Sequence, residues 1–141
     1  IRRSTIGFIF QRFLLFPTLT VQENIALPLL FNSDNRDHED IDEIMRIVEL
    51  TGRRNHRPSQ LSGGEMQRAA IGRALVLKAP VILADEPTGN LDSVTAGKIY
   101  DLFRVLQQRG HTIITVTHNN ELAGKADTIL LLKDGMLKNG N

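Results

Sequence analysis

The sequence predicts an α/β fold built on a mainly parallel sheet. Short apolar runs at Ile6–Phe10, Val81–Ala84, Thr112–Val116 and Asp127–Leu132 alternate with stretches of helical periodicity. Val81-Ile82-Leu83-Ala84 is apolar at every position, as a strand covered on both faces must be. Two helix starts are written as capping boxes, Thr20-Val21-Gln22-Glu23 and Ser62-Gly63-Gly64-Glu65.

Composition agrees. The 141 residues suffice for one domain with a core, and 41% hydrophobic with 23% charged residues is ordinary for a globular chain. A net charge of +1 gives no nucleic-acid signal. Cysteine is absent, which fits a reducing compartment. No apolar run reaches the roughly 20 residues that a membrane helix needs.

Taken in order, Ile6–Phe10 reads as a buried strand ending at Gln11, and Phe13–Pro17 as a loop with apolar anchors. The Thr20 box opens a helix through Ile25, Leu27 and Leu30, with a kink or early end at Pro28. Asn32–Asp40 reads as a solvated acidic loop and helix start. Ile41, Ile44, Met45 and Val48 mark an amphipathic helix stopping at Gly52. Arg53, Arg54, His56 and Arg57 are placed to complement the C-terminal end of its dipole, the favoured reading, or to contact a partner. The Ser62 helix continues through Leu77 and ends at Pro80. Asp92 or Ser93 starts a long helix carrying Ile99, Leu102, Phe103 and Leu106, which Gly110 closes. A short helix over Asn120–Lys125 precedes the last strand, and Asp134-Gly135 turns a hairpin into Met136–Lys138.

The chemistry-bearing residues fall at element boundaries. Asp85 and Glu86 close an apolar strand, and open α/β sheets bind ligands at that end. Asp85 offers a hard oxygen suited to Mg²⁺, and Glu86 a base for an attacking water. Pro87 argues against an immediate helix there. Gln11 and His118 follow two other strands. Gly63 and Gly64, behind the Ser62 cap, leave backbone open to close approach, and a helix N-terminus suits a phosphate.

In their order, these pieces resemble the ATPase subunits of ATP-binding-cassette (ABC) transporters. Gln11 resembles the Q-loop glutamine, Leu61-Ser62-Gly63-Gly64-Glu65-Met66-Gln67-Arg68 the signature, and Val81–Asp85 the Walker B strand. Glu86 resembles the catalytic glutamate, Asn90-Leu91-Asp92 the D-loop, and His118 the switch histidine. Glu86-Pro87-Thr88-Gly89-Asn90-Leu91-Asp92 and Leu27-Pro28-Leu29-Leu30 resemble the lipoprotein-releasing, macrolide-exporting and cell-division subgroup.

The resemblance implies a P-loop NTPase-like sheet with a helical subdomain over about residues 18–78 and core segments over 1–17 and 79–141. It implies Glu86 and His118 as catalytic, and Gln11, Ser62, Gly63, Gly64, Glu65 and Asp92 as ATP-contacting. Gln11 and Asp85 would meet Mg²⁺. It further implies a head-to-tail partner ATPase subunit, transmembrane permease subunits and a peripheral place on the cytoplasmic face of the membrane, with no nucleic acid.

No G-x-x-x-x-G-K-[S/T] loop occurs in the sequence. In the resembled family that loop precedes the Q-loop, so the chain is expected to be part of a longer cassette and inactive alone, with unpaired sheet edges. A degenerate interaction module is the alternative to truncation; intact Gln11, Glu86 and His118 favour truncation. A chromosome-maintenance or DNA-repair relative would carry a long coiled coil between Gln11 and Leu61. Those residues are only 61 − 11 = 50 positions apart, without heptads.

Overall fold

The computed structural model describes residues 6–31 and 40–139. Three strands, β1 (Ile6–Ile9), β2 (Val81–Asp85) and β3 (Thr112–Val116), form a parallel sheet in the order β1-β2-β3. The helices are α1 (Val21–Ala26), α2 (Ile41–Ile47), α3 (Gly63–Leu75), α4 (Ser93–Gln108) and α5 (Asn120–Ala123). A separate antiparallel hairpin joins β4 (Leu130–Lys133) to β5 (Met136–Asn139), with left-handed Asp134 and Gly135 at the turn.

Register sets which side chains are covered. Gly7 aligns with Ile82 and Ile113, and Ile9 with Ala84 and Thr115. This face carries the core, where Ile9, Ile82 and Ala84 are buried with Ile25, Ile44, Ile71, Ile99 and Leu106 of the helices. Gly7 is required here. A Cβ would stand 2.7 Å from the Ala74 carbonyl oxygen, so α3 approaches β1 as closely as backbone allows. The opposite face carries the row Phe8, Leu83 and Ile114, where Phe8 and Ile114 are exposed. Phe8 stacks on the exposed Phe10. Among the described residues no strand pairs with the outer edge of β3, and Leu130, Leu131 and Leu132 are exposed. The expected unpaired edge and apolar surface are therefore present.

The early end expected at Pro28 forms, and several later boundaries differ from expectation for identifiable reasons. The first helix leaves α geometry at Ala26 and continues as a 3-10 turn over Leu27–Phe31, because Pro28 has no N–H to donate. The loop expected over Asn32–Asp40 lies outside the described residues except Asp40, which caps α2 by accepting from the Asp42 N–H. Gly52 does not stop α2. The helix ends at Ile47 through a Schellman closure in which Leu50 N donates to Met45 O and Glu49 N to Arg46 O. Glu49 takes the left-handed position with φ 55° so that Leu50 can be buried. Helix α3 ends at Leu75, short of Leu77, and Lys78 turns left-handed before Pro80. Strand β4 begins at Leu130, not Asp127.

Gly7 and Gly97 make a matched pair for testing this packing. Gly7→Ala should destabilise the chain by about 1–3 kcal/mol through overpacking against Ala74. Gly97→Ala, in α4 with nothing within 4 Å of its would-be Cβ, should stabilise it by up to about 1 kcal/mol. Urea unfolding of both variants checks the two signs.

Candidate functional site

Parallel pairing puts the carboxyl ends of β1, β2 and β3 side by side, and the residues just beyond them form the site. Glu86 takes a left-handed conformation, φ 43°, at the end of β2. Its N–H donates to Val116 O at 2.9 Å, adding one rung to the β2–β3 ladder. Glu86 Oε1 accepts from the His118 N–H at 2.9 Å and lies 2.7 Å from His118 Nδ1. Thr117 Oγ1 donates to Oε2 at 3.2 Å. With the carboxylate ionised, the His118 ring carries its proton on Nδ1. The Glu86 side chain is 19% exposed and that of His118 84%, so the imidazole can leave the carboxylate while Thr117 stays.

Gln11 joins a second pair of loops. Its backbone carbonyl accepts from Asn90 Nδ2 at 3.1 Å, and its Nε2 donates to Asn90 Oδ1 at 3.4 Å. Gly89 leaves room for this: a Cβ there would sit 2.8 Å from Gln11 Nε2. Asp92 caps α4, accepting from Thr95 N at 2.9 Å and Thr95 Oγ1 at 2.6 Å. Asp85 is exposed at the end of β2. The described residues contain no group of three or more His, Cys, Asp or Glu that could hold a metal alone. Mg²⁺ commonly takes one or two carboxylates and completes its shell with water and phosphate. A single exposed Asp85 fits that pattern.

The Ser62 turn forms as its sequence reads. Ser62 Oγ accepts from the Glu65 N–H, and Glu65 Oε2 accepts from the Ser62 N–H at 2.8 Å. The glycines, though, have a role the sequence does not reveal. A Cβ on Gly64 would lie 2.5 Å from Thr95 Cγ2, and one on Gly63 would lie 3.2 Å from Leu91 Cδ2. Gly64 admits the first turn of α4, and Gly63 the Leu91 side chain just before it, in the same chain. The turn thus packs directly on the Asn90–Asp92 segment.

Other polar anchors were not singled out from sequence. Asn24, fully buried, holds the loop after Gln11. Its Nδ2 donates to Phe16, Leu19 and Thr20 carbonyls and its Oδ1 accepts from the Phe16 N–H at 2.7 Å. Arg73 of α3 donates to Leu14 O at 2.6 Å and Phe13 O at 3.1 Å. A helical Asn amid apolar neighbours is the sequence signal for the first; nothing local marks the second. Of the basic group after α2, Arg53 and Arg54 pair elsewhere than at the C-terminal end of that helix, contrary to expectation. Arg53 Nε donates to Glu65 Oε1 at 2.8 Å, and Arg54 pairs with Asp42 and Gln22.

The sequence and fold define an α/β chain built on a parallel sheet, and the comparisons give its family. A family model described as ABC transporter matches residues 1–89. The chain therefore belongs to the ABC transporter family. It is 48% identical to the macrolide export ATP-binding/permease protein MacB of Rhodopirellula baltica, covering 96% of this chain and 21% of that protein. It is 47% identical to the ABC transporter ATP-binding protein MJ0796 of Methanocaldococcus jannaschii, covering 96% and 60%. A dimeric structure of MJ0796, an ABC transporter cassette, superposes with a TM-score of 0.80 at 44% identity, covering 98% of this chain and 62% of that one. A second, a post-hydrolysis state bound to ADP and Pi, gives 0.80 at 42%, covering 98% and 64%. The chain thus spans about a fifth of the exporter and three fifths of the cassette. No helix among the described residues is long and apolar enough to cross a membrane.

The Glu65 carboxyl is held at about 2, against an ordinary 4.5, by the Arg53 hydrogen bond first and the Ser62 N–H second. Folding lowers this pKa, so the stabilisation is complete above pH 4.5 and is lost as pH falls through about 2. Carbon-detected NMR titration should find Glu65 ionised at pH 3.5. In Arg53→Ala its midpoint should move up towards 4.5.

Proposed function

We propose that residues 1–141 form part of an ATP-hydrolysing cassette whose closure as a head-to-tail dimer drives transmembrane permease subunits from the cytoplasmic face of the membrane. The supporting observation is the Glu86 carboxylate, held at the strand ends by Thr117 and by an exposed His118. In this reading residues 18–78 are the helical subdomain, and 1–17 with 79–141 are core segments. The face with exposed Phe8 and Ile114, and the β3 edge that no strand among the described residues pairs, suit a further layer of the same cassette.

In the proposed reaction, water attacks the γ-phosphorus of ATP in line, Glu86 accepts the water's proton, and the bond from the γ-phosphorus to the β–γ bridging oxygen breaks to release ADP and inorganic phosphate. His118, released from Glu86, donates to a γ-phosphate oxygen. Gln11, steadied by Asn90, orients the water. Asp85 and Gln11 would hold Mg²⁺, which supplies charge neutralisation on the phosphates. Ser62, Gly63, Glu65 and Asp92 line the surface proposed to face ATP bound by the partner subunit, and Gly64, buried against Thr95, would offer that ATP only backbone. The dimeric MJ0796 cassettes, one with ADP and Pi, support this arrangement. The macrolide-exporter likeness supports an export role, with the transported molecule chosen by the permease.

In the complete subunit, Glu86→Gln should leave ATP binding intact and lower turnover about 10²–10⁴-fold, as loss of a general base does. ATP should then trap the dimer. Near wild-type turnover, measured by phosphate release, would contradict the role.

Gly63→Asp tests the facing surface. The Leu91 methyl can give the few tenths of an ångström needed, so the variant should fold, with a melt within a few degrees of wild type. Its carboxylate would stand beside a polyanion. Single-subunit ATP binding should persist while ATP-driven dimerisation and turnover disappear together. A folded variant that still dimerises and turns over would remove the signature assignment.

A further inference from the structure

We propose that Arg53 is a positioning residue for the Ser62–Glu65 turn, locking the carboxylate that caps it and registering the turn to the arm that follows Gln11. The two Glu65 oxygens are divided between partners. Oε2 accepts from the Ser62 N–H at 2.8 Å and Oε1 from Arg53 Nε at 2.8 Å. The capping box occupies the N–H groups of Ser62 and Glu65 and leaves those of Gly63 and Gly64 outside it. The direction of these two N–H groups therefore depends on how firmly Glu65 is held. A carboxylate with one free oxygen can rotate off the Ser62 N–H; one clamped on both cannot.

The turn that carries Arg53 is itself anchored. Residues Thr51–Arg53 form a 3-10 turn directly behind the buried Leu50. Two N–H groups at the start of α1 are spent on the residues that follow: Val21 N donates to His56 O at 2.9 Å and Gln22 N to Arg54 O at 3.2 Å. Arg54 Nη1 also donates to Gln22 Oε1 at 3.2 Å. Helix α1 is in turn tied by Asn24 to the Phe16 loop that leads back to Gln11. Adjacent arginines thus face opposite ways, Arg54 onto α1 and α2, Arg53 onto the Ser62 turn. A displacement of the arm after Gln11 carries the Arg53 clamp with it.

This role rests on the proposed function of the Ser62 turn. The experiment uses the complete subunit and reads two quantities separately: nucleotide affinity of the isolated subunit, and ATP-driven dimerisation by sedimentation with the turnover it supports. The side chains are partly exposed, 48% for Arg53 and 17% for Glu65. Such a pair weighs about 2–5-fold in an equilibrium, and a head-to-tail dimer holds two, so Arg53→Ala should weaken dimerisation on the order of 10-fold. Single-subunit affinity should stay within about twofold of wild type. Arg53→Lys should recover part of the loss. Glu65→Gln keeps an oxygen for the Ser62 N–H but no charge for Arg53, and in that background Arg53→Ala should add little.

Wild-type dimerisation by Arg53→Ala would overturn the proposal. So would a full additional loss in the Glu65→Gln background, or a parallel fall in single-subunit affinity. Where Arg53→Ala does not fold, Arg53→Lys and Glu65→Gln carry the same comparison. Gly63→Asp separates the two failures. If it blocks closure and Arg53→Ala does not, only the Arg53 role is lost. If folded Gly63→Asp closes normally, the reading of the turn itself has failed.

Discussion

The strand ends depend on Glu86. Its backbone extends the β2–β3 ladder and its carboxylate gathers Thr117 and His118 from the end of β3. A non-glycine residue at positive φ costs about 1–3 kcal/mol and persists only where its surroundings hold it. Here three hydrogen-bond donors and one ladder bond do so. The strained turn aims the carboxylate along the row of strand ends, where a continuing strand would have pointed it to one face of the sheet.

The rest of the site is built around that row by close backbone approach. Gly7 lets α3 settle on β1, Gly64 lets the start of α4 settle on the head of α3, and Gly89 lets the Gln11 side chain lie across the next loop. The Ser62 turn, the Asn90–Asp92 segment and Gln11 are consequently parts of one packed body. The surfaces proposed to face phosphate can then move together, which suits the proposed closure onto a partner subunit.

Apolar burial is one-sided. Ile9, Ile82 and Ala84 are buried in one cluster with apolar residues of the helices, while Phe8 and Ile114 on the opposite face are exposed, as is the Leu130–Leu132 strand. Val81–Ala84 reads as a strand apolar on both faces, and a sheet of that composition is stable when both are covered. The chain covers 62% of the solved MJ0796 cassette, and the further layer proposed above would cover the second face.

What the sequence determined by itself is local. The caps at Thr20, Ser62 and Asp92, the turn at Asp134-Gly135 and the apolar runs of β1, β2 and β3 depend on neighbours within four residues, so they are legible in order along the chain. The order of Gln11, the Ser62 turn, Glu86 and His118 was legible for the same reason. Tertiary structure alone decided the rest. Glu49, not Gly52, is left-handed because Leu50 is buried; Glu65 meets Arg53 because a 3-10 turn brings them together across twelve positions; Arg73 reaches carbonyls 59 and 60 positions away. Ionic and hydrogen-bonding side chains state what they can bind but not where the chain will bring a partner. That is settled only when apolar burial fixes the path of the backbone between them.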